Sequence, residues 1–211
     1  MKILKIPNQI FRGNLTPLSI SRVDGIAFHH MANKTWDVKD VERYHILTNG
    51  WAAIGYNYWI AFDGTVYEGR GLNVGAGVSN HNSHVISIGL QGDFMNQFPT
   101  EEQYKSGAEL VEYLKDKLPN LKHIGKHSDY NATVCPGTKF DINKILNYKE
   151  KKEMEEKVYN WVTACPAWSQ PYVHKALELG IIKGDENGLL NLTDTKIWCL
   201  VVTLRANKIM K

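Results

Sequence analysis

The hydrophobic and polar positions of the first 148 residues follow two periods, that of strands and that of helices. Residues 26–30 and 85–91 are short, nearly continuous apolar runs, which predict two buried strands. Residues 36–47 and 100–118 carry apolar side chains at intervals of three and four, which predict two amphipathic helices. Gln103 follows Thr100 by three positions, so we expect a capping box at the start of the second helix.

A hairpin and a loop separate these elements. Asp63-Gly64 lies between two β-rich runs, residues 54–60 and 65–68, which is a strong hairpin signal. Residues 69–84 are rich in Gly, Asn, Ser and His and are predicted to form an exposed loop. A short helix is expected over residues 141–148. This order of elements predicts an α/β domain with a mixed β-sheet flanked by helices.

The composition changes after residue 148. Residues 149–157 are mostly Lys and Glu, which predicts a solvated linker between a first domain, 1–148, and a second, 158–211. In the second domain, apolar residues recur at helical spacing over residues 168–179 and 195–207. We therefore expect a small helical C-terminal domain.

Charge, cysteine content and hydropathy exclude several classes of protein. The 211 residues are 43% hydrophobic with a net charge of +3, which is ordinary for a globular protein. There is no long Lys/Arg block, so nucleic acid is not the expected partner, whereas a mild positive charge suits an anionic polymer. Three cysteines are an odd number, which argues against a disulfide framework. No run approaches the about 18 apolar residues of a membrane span.

Three side chains are candidate metal ligands. His127 and Cys135 lie eight positions apart on one loop, and imidazole nitrogen and thiolate sulfur are ligands that zinc favours. His29 ends a predicted strand and could supply the third ligand, which would leave one position open, as in catalytic zinc sites. Two alternatives remain: a Cys–His hydrolase with Cys135 as nucleophile, or a closed structural site with a fourth protein ligand. The candidates for that fourth ligand are His30, His45 and Cys165.

Several motifs resemble one family in the same order along the chain. They are residues 28–32 (FHHMA), 55–58 (GYNY), 63–70 (DGTVYEGR), 87–90 (SIGL) and 127–137 (HSDYNATVCPG). Together they resemble the type-2 N-acetylmuramoyl-L-alanine amidases, the branch shared by phage lysozymes of the T7 kind and animal peptidoglycan recognition proteins. The resemblance covers about residues 20–147. It implies a Zn²⁺ cofactor held by His29, His127 and Cys135, and hydrolysis of the amide between N-acetylmuramic acid and L-alanine in bacterial peptidoglycan.

The resemblance also implies two catalytic residues. Tyr56 matches a tyrosine beside the zinc water in the family, so we expect its phenol to stabilise the oxyanion or to orient that water. Thr133 matches a position where some phage relatives carry lysine and recognition proteins often carry threonine. A hydroxyl can donate a hydrogen bond but has no positive charge. The group that protonates the leaving amine therefore stays open, with His30, His81 and His84 as candidates.

The second domain resembles a single S-layer-homology module, a unit that anchors proteins to cell-wall polymers. The Thr-Arg-Ala-Glu that starts the late helix in that family is replaced by Thr195-Lys196-Ile197-Trp198, so the arginine that would grip an anionic polymer is absent. A secondary cell-wall polymer is the expected partner. One module has little core of its own, so we expect either packing on the first domain or self-association. The alternative is a helical appendage that only stabilises the protein.

We therefore expect a peptidoglycan amidase that acts as a phage or prophage endolysin. The first residues lack an apolar secretion segment, so synthesis in the cytoplasm and release through a holin are expected. A bacterial autolysin of the same chemistry is one alternative. A non-catalytic peptidoglycan-binding protein is another, but those that resemble this chain lack the cysteine ligand, which is present here as Cys135.

Overall fold

The computed structural model describes residues 1–149 and 157–210. It divides into two compact units, Met1–Glu150 and Lys151–Lys211. The predicted linker, residues 149–157, lies outside the described residues except at its two ends. No helix within the described ranges is both long and apolar enough to cross a membrane.

The first unit is built on a six-stranded sheet. Its strands are β1 (Ile3–Lys5), β2 (Gly25–His30), β3 (Tyr58–Ile60), β4 (Val66–Glu68), β5 (Val85–Leu90) and β6 (His123–Lys126). They are ordered β1-β4-β3-β5-β2-β6, and only the β3–β4 pair is antiparallel. The predicted mixed α/β fold is confirmed, although β1 and β6 were not among the predicted strands. β2 and β5 are adjacent interior strands of the sheet and are buried along their whole length.

The helices are α1 (Val38–Arg43), α2 (Glu101–Lys115) and α3 (Asn143–Leu146). The capping box of α2 is confirmed, because the Gln103 amide donates to the Thr100 hydroxyl and the Thr100 amide donates to the Gln103 side chain. Leu110 and Leu114 of α2 share one core with Phe28 of β2, so α2 covers one face of the sheet. α2 and α3 are both shorter than predicted.

α1 differs from the predicted helix over residues 36–47. The Asp37 side chain caps it at its start, so the regular helix begins at Val38. From Tyr44 to Thr48 the chain turns as a π-helix, a form frequent at functional sites. This turn buries His45, whose Nδ1 accepts a hydrogen bond from the Gly55 amide at 3.0 Å.

The predicted hairpin is present, but its first strand is short. β3 begins at Tyr58 rather than at residue 54, because the Asn57 side chain bonds to loop backbone instead of continuing the strand. Its Nδ2 donates to the carbonyls of Gly71 and Asn73, both at 2.7 Å, and its Oδ1 accepts from the Ser87 amide. Asn57 is thereby held against Ser87 of β5, whose carbonyl also accepts a hydrogen bond from the Asn57 amide at 2.9 Å.

The prediction that residues 69–84 form an exposed loop is wrong in one respect. The segment lacks regular structure, but only Ser79, Asn80 and Ser83 are exposed. Arg70 is buried, and its guanidinium donates to the carbonyls of Ile54, Val74 and Ala53 at 2.8, 3.0 and 3.3 Å. These bonds satisfy a buried charge with backbone oxygens. The segment is thereby fixed against residues 53–54.

The second unit contains α4 (Gln170–Glu178), α5 (Asp194–Ala206) and a two-stranded antiparallel sheet of β7 (Val158–Tyr159) and β8 (Leu192–Thr193). Both helices were predicted to within two residues, whereas the small sheet was not. α5 begins at Asp194 with Thr193 as its cap, so Lys196 lies in its first turn. Val173, Ala176 and Val201 are in the core.

Candidate active site

The two adjacent histidines of β2 point to opposite faces of the sheet, because strand side chains alternate. His30 Nδ1 accepts a hydrogen bond from the Phe94 amide at 3.0 Å, on the face covered by α2. His29 is on the other face and is 2% exposed. Only His29 therefore faces the loop that carries Cys135.

Three side chains converge on this face. The ligand atoms of His29, His127 and Cys135 all lie within 4.8 Å of one another. His29 Nδ1 is 3.8 Å from Cys135 Sγ, and the ring centroids of His29 and His127 are 4.4 Å apart. Within residues 1–149 and 157–210 no other group of His, Cys, Asp or Glu is as compact. The structure thus brings together the three predicted ligands.

The alternative fourth ligands are engaged elsewhere. His30 and His45 each use Nδ1 to accept a backbone amide. Cys165 is buried in the core of the second unit, where its thiol donates to the Trp161 carbonyl. Of the described side chains, only three protein ligands meet here, which leaves a position for substrate or water.

Burial sets the charge of all three ligands. It lowers the pKa of His29 well below its usual value, and the nearby His127 lowers it further. Burial also lowers the pKa of His127, against a hydrogen bond with Asn131 that raises it. Burial raises the pKa of the Cys135 thiol to about 11, although the His30 backbone amide donates to its sulfur. Both imidazoles are thus neutral with lone pairs available, and a metal would displace the thiol proton on binding.

These donors fit a zinc ion. Two neutral nitrogens and one sulfur, drawn from a rigid central strand and one loop, match the ligand types and number of open zinc sites. His29 lies on a strand with both neighbours hydrogen-bonded to it, β5 and β6, so its position is fixed before any ion binds.

Tyr56 lies directly beside the ligands. Its ring centroid is 5.3 Å from that of His29, and the residue is 8% exposed. Burial raises the pKa of the phenol well above its usual value, and the nearby Cys135 raises it further. The phenol therefore stays protonated and can donate a hydrogen bond at any pH near neutrality.

Thr133 is at the exposed rim of the site. Its Oγ1 accepts a hydrogen bond from the Cys135 amide at 3.2 Å, which helps to fix the loop before the cysteine. An open cleft of about 570 Å³ lies between this loop and the segment that precedes β5. Its lining includes Trp51, Gly77, Ser79, His127, Asn131 and Thr133.

His81 and His84 are at the other end of the strands. His84 Nδ1 is 2.7 Å from an Asp24 carboxylate oxygen, and His84 Nε2 is 3.2 Å from His81 Nδ1. Asp24 precedes β2, so His84 contacts the chain about 17 Å from His29 along that strand. Neither imidazole is a good candidate for protonating a leaving amine, and His30 is on the wrong face.

Two residues of the site were not predicted from the sequence. Asn131 Oδ1 is 3.1 Å from His127 Nε2. Gly89 lies under the Tyr56 ring, because a Cβ there would be 2.6 Å from Tyr56 Cδ2. The spacing of four between His127 and Asn131 is a signal that could have indicated the first contact, whereas no local signal indicates the second.

The match to a family model and the similarity to known proteins establish the family of the chain. The sequence model of the N-acetylmuramoyl-L-alanine amidase family (Amidase_2) matches residues 19–138, which is more than half of the chain. The chain belongs to this amidase family. The S-layer homology domain model matches residues 162–191, in the second unit.

Relatives of the amidase family include animal and bacterial proteins. The peptidoglycan-recognition protein SC2 of Drosophila simulans is 36% identical over 117 residues, which is 53% of this chain and 64% of the relative. The human N-acetylmuramoyl-L-alanine amidase is 35% identical over 106 residues, which is 48% of this chain and 18% of that protein. The chain thus spans less than two thirds of these curated relatives.

Two solved amidases from Clostridium intestinale URNW are matched over nearly their whole length. LysC is 30% identical with a TM-score of 0.61, covering 71% of this chain and 99% of that one. The endolysin amidase LysCS is 28% identical with a TM-score of 0.63, covering 70% of this chain and 97% of that one.

Proposed function

We propose that this protein is a zinc-dependent N-acetylmuramoyl-L-alanine amidase that hydrolyses the amide between N-acetylmuramic acid and L-alanine in bacterial peptidoglycan. The observation that carries the proposal is the convergence of His29, His127 and Cys135 beside Tyr56, in a chain of the amidase family.

Each residue of the site has its own role in the proposed reaction. His29, His127 and Cys135 would hold the ion, and zinc, when bound, polarises a carbonyl and makes water more acidic. Tyr56 donates a hydrogen bond toward the carbonyl oxygen that becomes negative in the transition state. Thr133 presents its hydroxyl at the rim of the cleft, where it can hydrogen-bond to substrate. The open side of the site admits a polymer.

Two rival functions fit the residues less well. A Cys–His hydrolase needs a thiolate, which low-pKa cysteines supply, but burial raises the pKa of Cys135 to about 11. A binding protein without catalysis would not need a complete ligand set. Cys135, together with both histidines, favours the enzyme.

The second unit supports a role at the cell wall. Its match to the S-layer homology domain favours binding of a cell-wall polymer, and we propose this as its function. Trp168 and Trp198 are 48% and 57% exposed, with ring centroids 4.9 Å apart, so they offer an aromatic surface for sugar stacking. Similarity to LysCS, an endolysin, favours a phage lytic role after release to the wall over that of a bacterial autolysin.

Zinc content and product chemistry test the proposal together. Purified protein should contain about one zinc per chain, and digestion of purified walls should release new L-alanine N-termini without new reducing sugars. New reducing sugars with no new amino termini would indicate a glycosidase and would contradict the proposal. A chelator should abolish release, and added zinc should restore it.

A further inference from the structure

The side-chain amide of Asn131 links a candidate metal ligand to the opposite wall of the cleft. Its Nδ2 is 3.2 Å from the Ser79 carbonyl oxygen, and its Oδ1 is 3.1 Å from His127 Nε2. A backbone carbonyl can only accept a hydrogen bond, so the NH₂ group of Asn131 must face Ser79. The amide oxygen of Asn131 therefore faces His127.

This orientation determines the tautomer of His127. An amide oxygen can only accept, so His127 Nε2 must carry the hydrogen. In the neutral imidazole the lone pair is then on Nδ1, the nitrogen that remains for a ligand. Without Asn131 the His127 ring could adopt either neutral tautomer, and only the one with its hydrogen on Nε2 leaves the Nδ1 lone pair available to a metal.

Both ends of this link are held in place. The Asn131 amide donates to the His127 carbonyl at 3.1 Å, which keeps the two residues one turn apart. On the other side, the Val78 amide donates to the Asn82 side chain at 2.9 Å, and Val78 itself is buried, which fixes the chain at Ser79.

We infer that Asn131 is a positioning residue: it selects the Nε2–H tautomer of His127 and orients the ring so that Nδ1 is presented to the metal. This inference rests on the proposed zinc site. Partners of this kind, which hold the second nitrogen of a metal-bound histidine, typically contribute about 10–100-fold in metal affinity.

Two substitutions at Asn131 separate its two hydrogen bonds. Asn131→Leu keeps the shape of the side chain but removes both bonds. Asn131→Asp keeps the oxygen that faces His127 and loses the donor to Ser79. Asn120→Leu is the matched control, because Asn120 also donates to a backbone carbonyl, that of Ser21 at 2.7 Å, at an exposed position away from the site.

The first measurement is zinc affinity at pH 8, in competition with a chromogenic chelator. We expect Asn131→Leu to bind zinc about 10–100-fold more weakly than the wild type, and Asn131→Asp and Asn120→Leu to stay within a few-fold of it. If Asn131→Asp weakens binding as much as Asn131→Leu, the bond to Ser79 is what matters and the inference is wrong.

The second measurement is made without zinc and does not depend on activity. In protein labelled with ¹⁵N-histidine, the His127 ring should show its hydrogen on Nε2 in the wild type and in Asn131→Asp, and a mixture of tautomers in Asn131→Leu. A wild-type His127 with its hydrogen on Nδ1 would overturn the inference even if a variant failed to fold. A wild type with the expected tautomer and zinc affinity but no wall hydrolysis would instead contradict the proposed function alone.

Discussion

Gly89 and Tyr56 are in direct contact across the sheet: a Cβ on Gly89 would lie 2.6 Å from Tyr56 Cδ2, closer than any real contact. Gly89 pairs in register with both Trp59 and His29, so it is the middle residue of the row on which the site is built. Because Gly89 has no side chain, the Tyr56 ring can lie directly against its backbone.

Replacing Gly89 should therefore damage the site without removing any functional group. We expect Gly89→Ala to displace Tyr56 and to lower wall hydrolysis strongly, with a loss of about 1–3 kcal/mol in the free energy of unfolding from overpacking. Gly13→Ala is the control, since a Cβ there meets only Ala52 at 3.9 Å. Turnover and thermal unfolding measure the two effects, and wild-type turnover in Gly89→Ala would mean that the position of the Tyr56 ring is not critical.

Removing only the phenol oxygen tests its role. Tyr56→Phe should lower the rate by about 10²–10³, because a single oxyanion donor is lost. Zinc stoichiometry should be unchanged, because Tyr56 is not among the converging ligands. If Tyr56→Phe turned over like the wild type, the tyrosine would be a packing residue only.

The ligand set predicts a clear contrast between neighbours on β2. His29→Ala, His127→Ala and Cys135→Ser should each lose bound zinc and wall lysis, because two ligands are too few for an open site. His30→Ala should keep zinc but lose about 1–3 kcal/mol of stability, since it leaves the buried Phe94 amide without its acceptor. Zinc analysis and denaturant unfolding distinguish the two outcomes, and full zinc and activity in Cys135→Ser would contradict the site.

Buried His45 predicts a loss of stability in acid. Burial, together with the Arg70 charge, lowers its pKa from 6.5 to about 4. As the pH falls, the unfolded chain takes up this proton before the folded chain does. The stability that neutral, buried His45 contributes is therefore complete above pH 6.5 and is lost as the pH falls from 6.5 toward 4. At about 1.4 kcal/mol per pKa unit, the loss is about 3 kcal/mol.

His45→Gln isolates this effect from the other buried histidines. Glutamine can still accept from the Gly55 amide but does not titrate in this range. The difference in unfolding free energy between wild type and His45→Gln, measured in the metal-free protein, should shrink as the pH falls below 6.5. A pH-independent difference for His45→Gln would mean that the pKa of His45 is not lowered in the folded state.

The exposed tryptophans of the second unit should affect polymer binding alone. Replacing both Trp168 and Trp198 by Ala should weaken binding to intact cells and slow their lysis, because anchoring raises the local concentration of enzyme at the wall. Cleavage of a small soluble muropeptide should be unchanged. Trp161→Ala, also at an exposed tryptophan but outside the pair, is the control. Unchanged cell binding in the double variant would assign the binding function to another surface.

Local sequence patterns were sufficient to predict those elements that depend on residues close together along the chain. The Thr100 capping box, the Asp63-Gly64 turn and the two buried central strands all follow from local patterns, and they are present. The alternation of side chains along β2 also separates His29 from His30 without a structure.

Features that depend on distant partners could not be found in this way. β1 has three residues and pairs with β4, more than 60 positions later. Arg70 is buried by carbonyls that no pattern in residues 69–84 reveals. The role of Asn131 depends on the Ser79 carbonyl, 52 residues earlier in the chain. Trp168 and Trp198 each belong to a run of apolar residues at helical spacing, which suggests burial. Both are nevertheless exposed on the surface of the second unit.

The separation of His29 from Cys135 along the chain has a consequence for when the site can form. The two residues are 106 positions apart, and at about 5–20 residues per second a ribosome needs roughly 5–20 s to add that length. During most of this time the growing chain carries His29 alone of the three ligands, because His127 is added only shortly before Cys135. Any ion that it captures earlier is held by fewer groups than in the finished protein, so the time at which the complete site appears is set by translation.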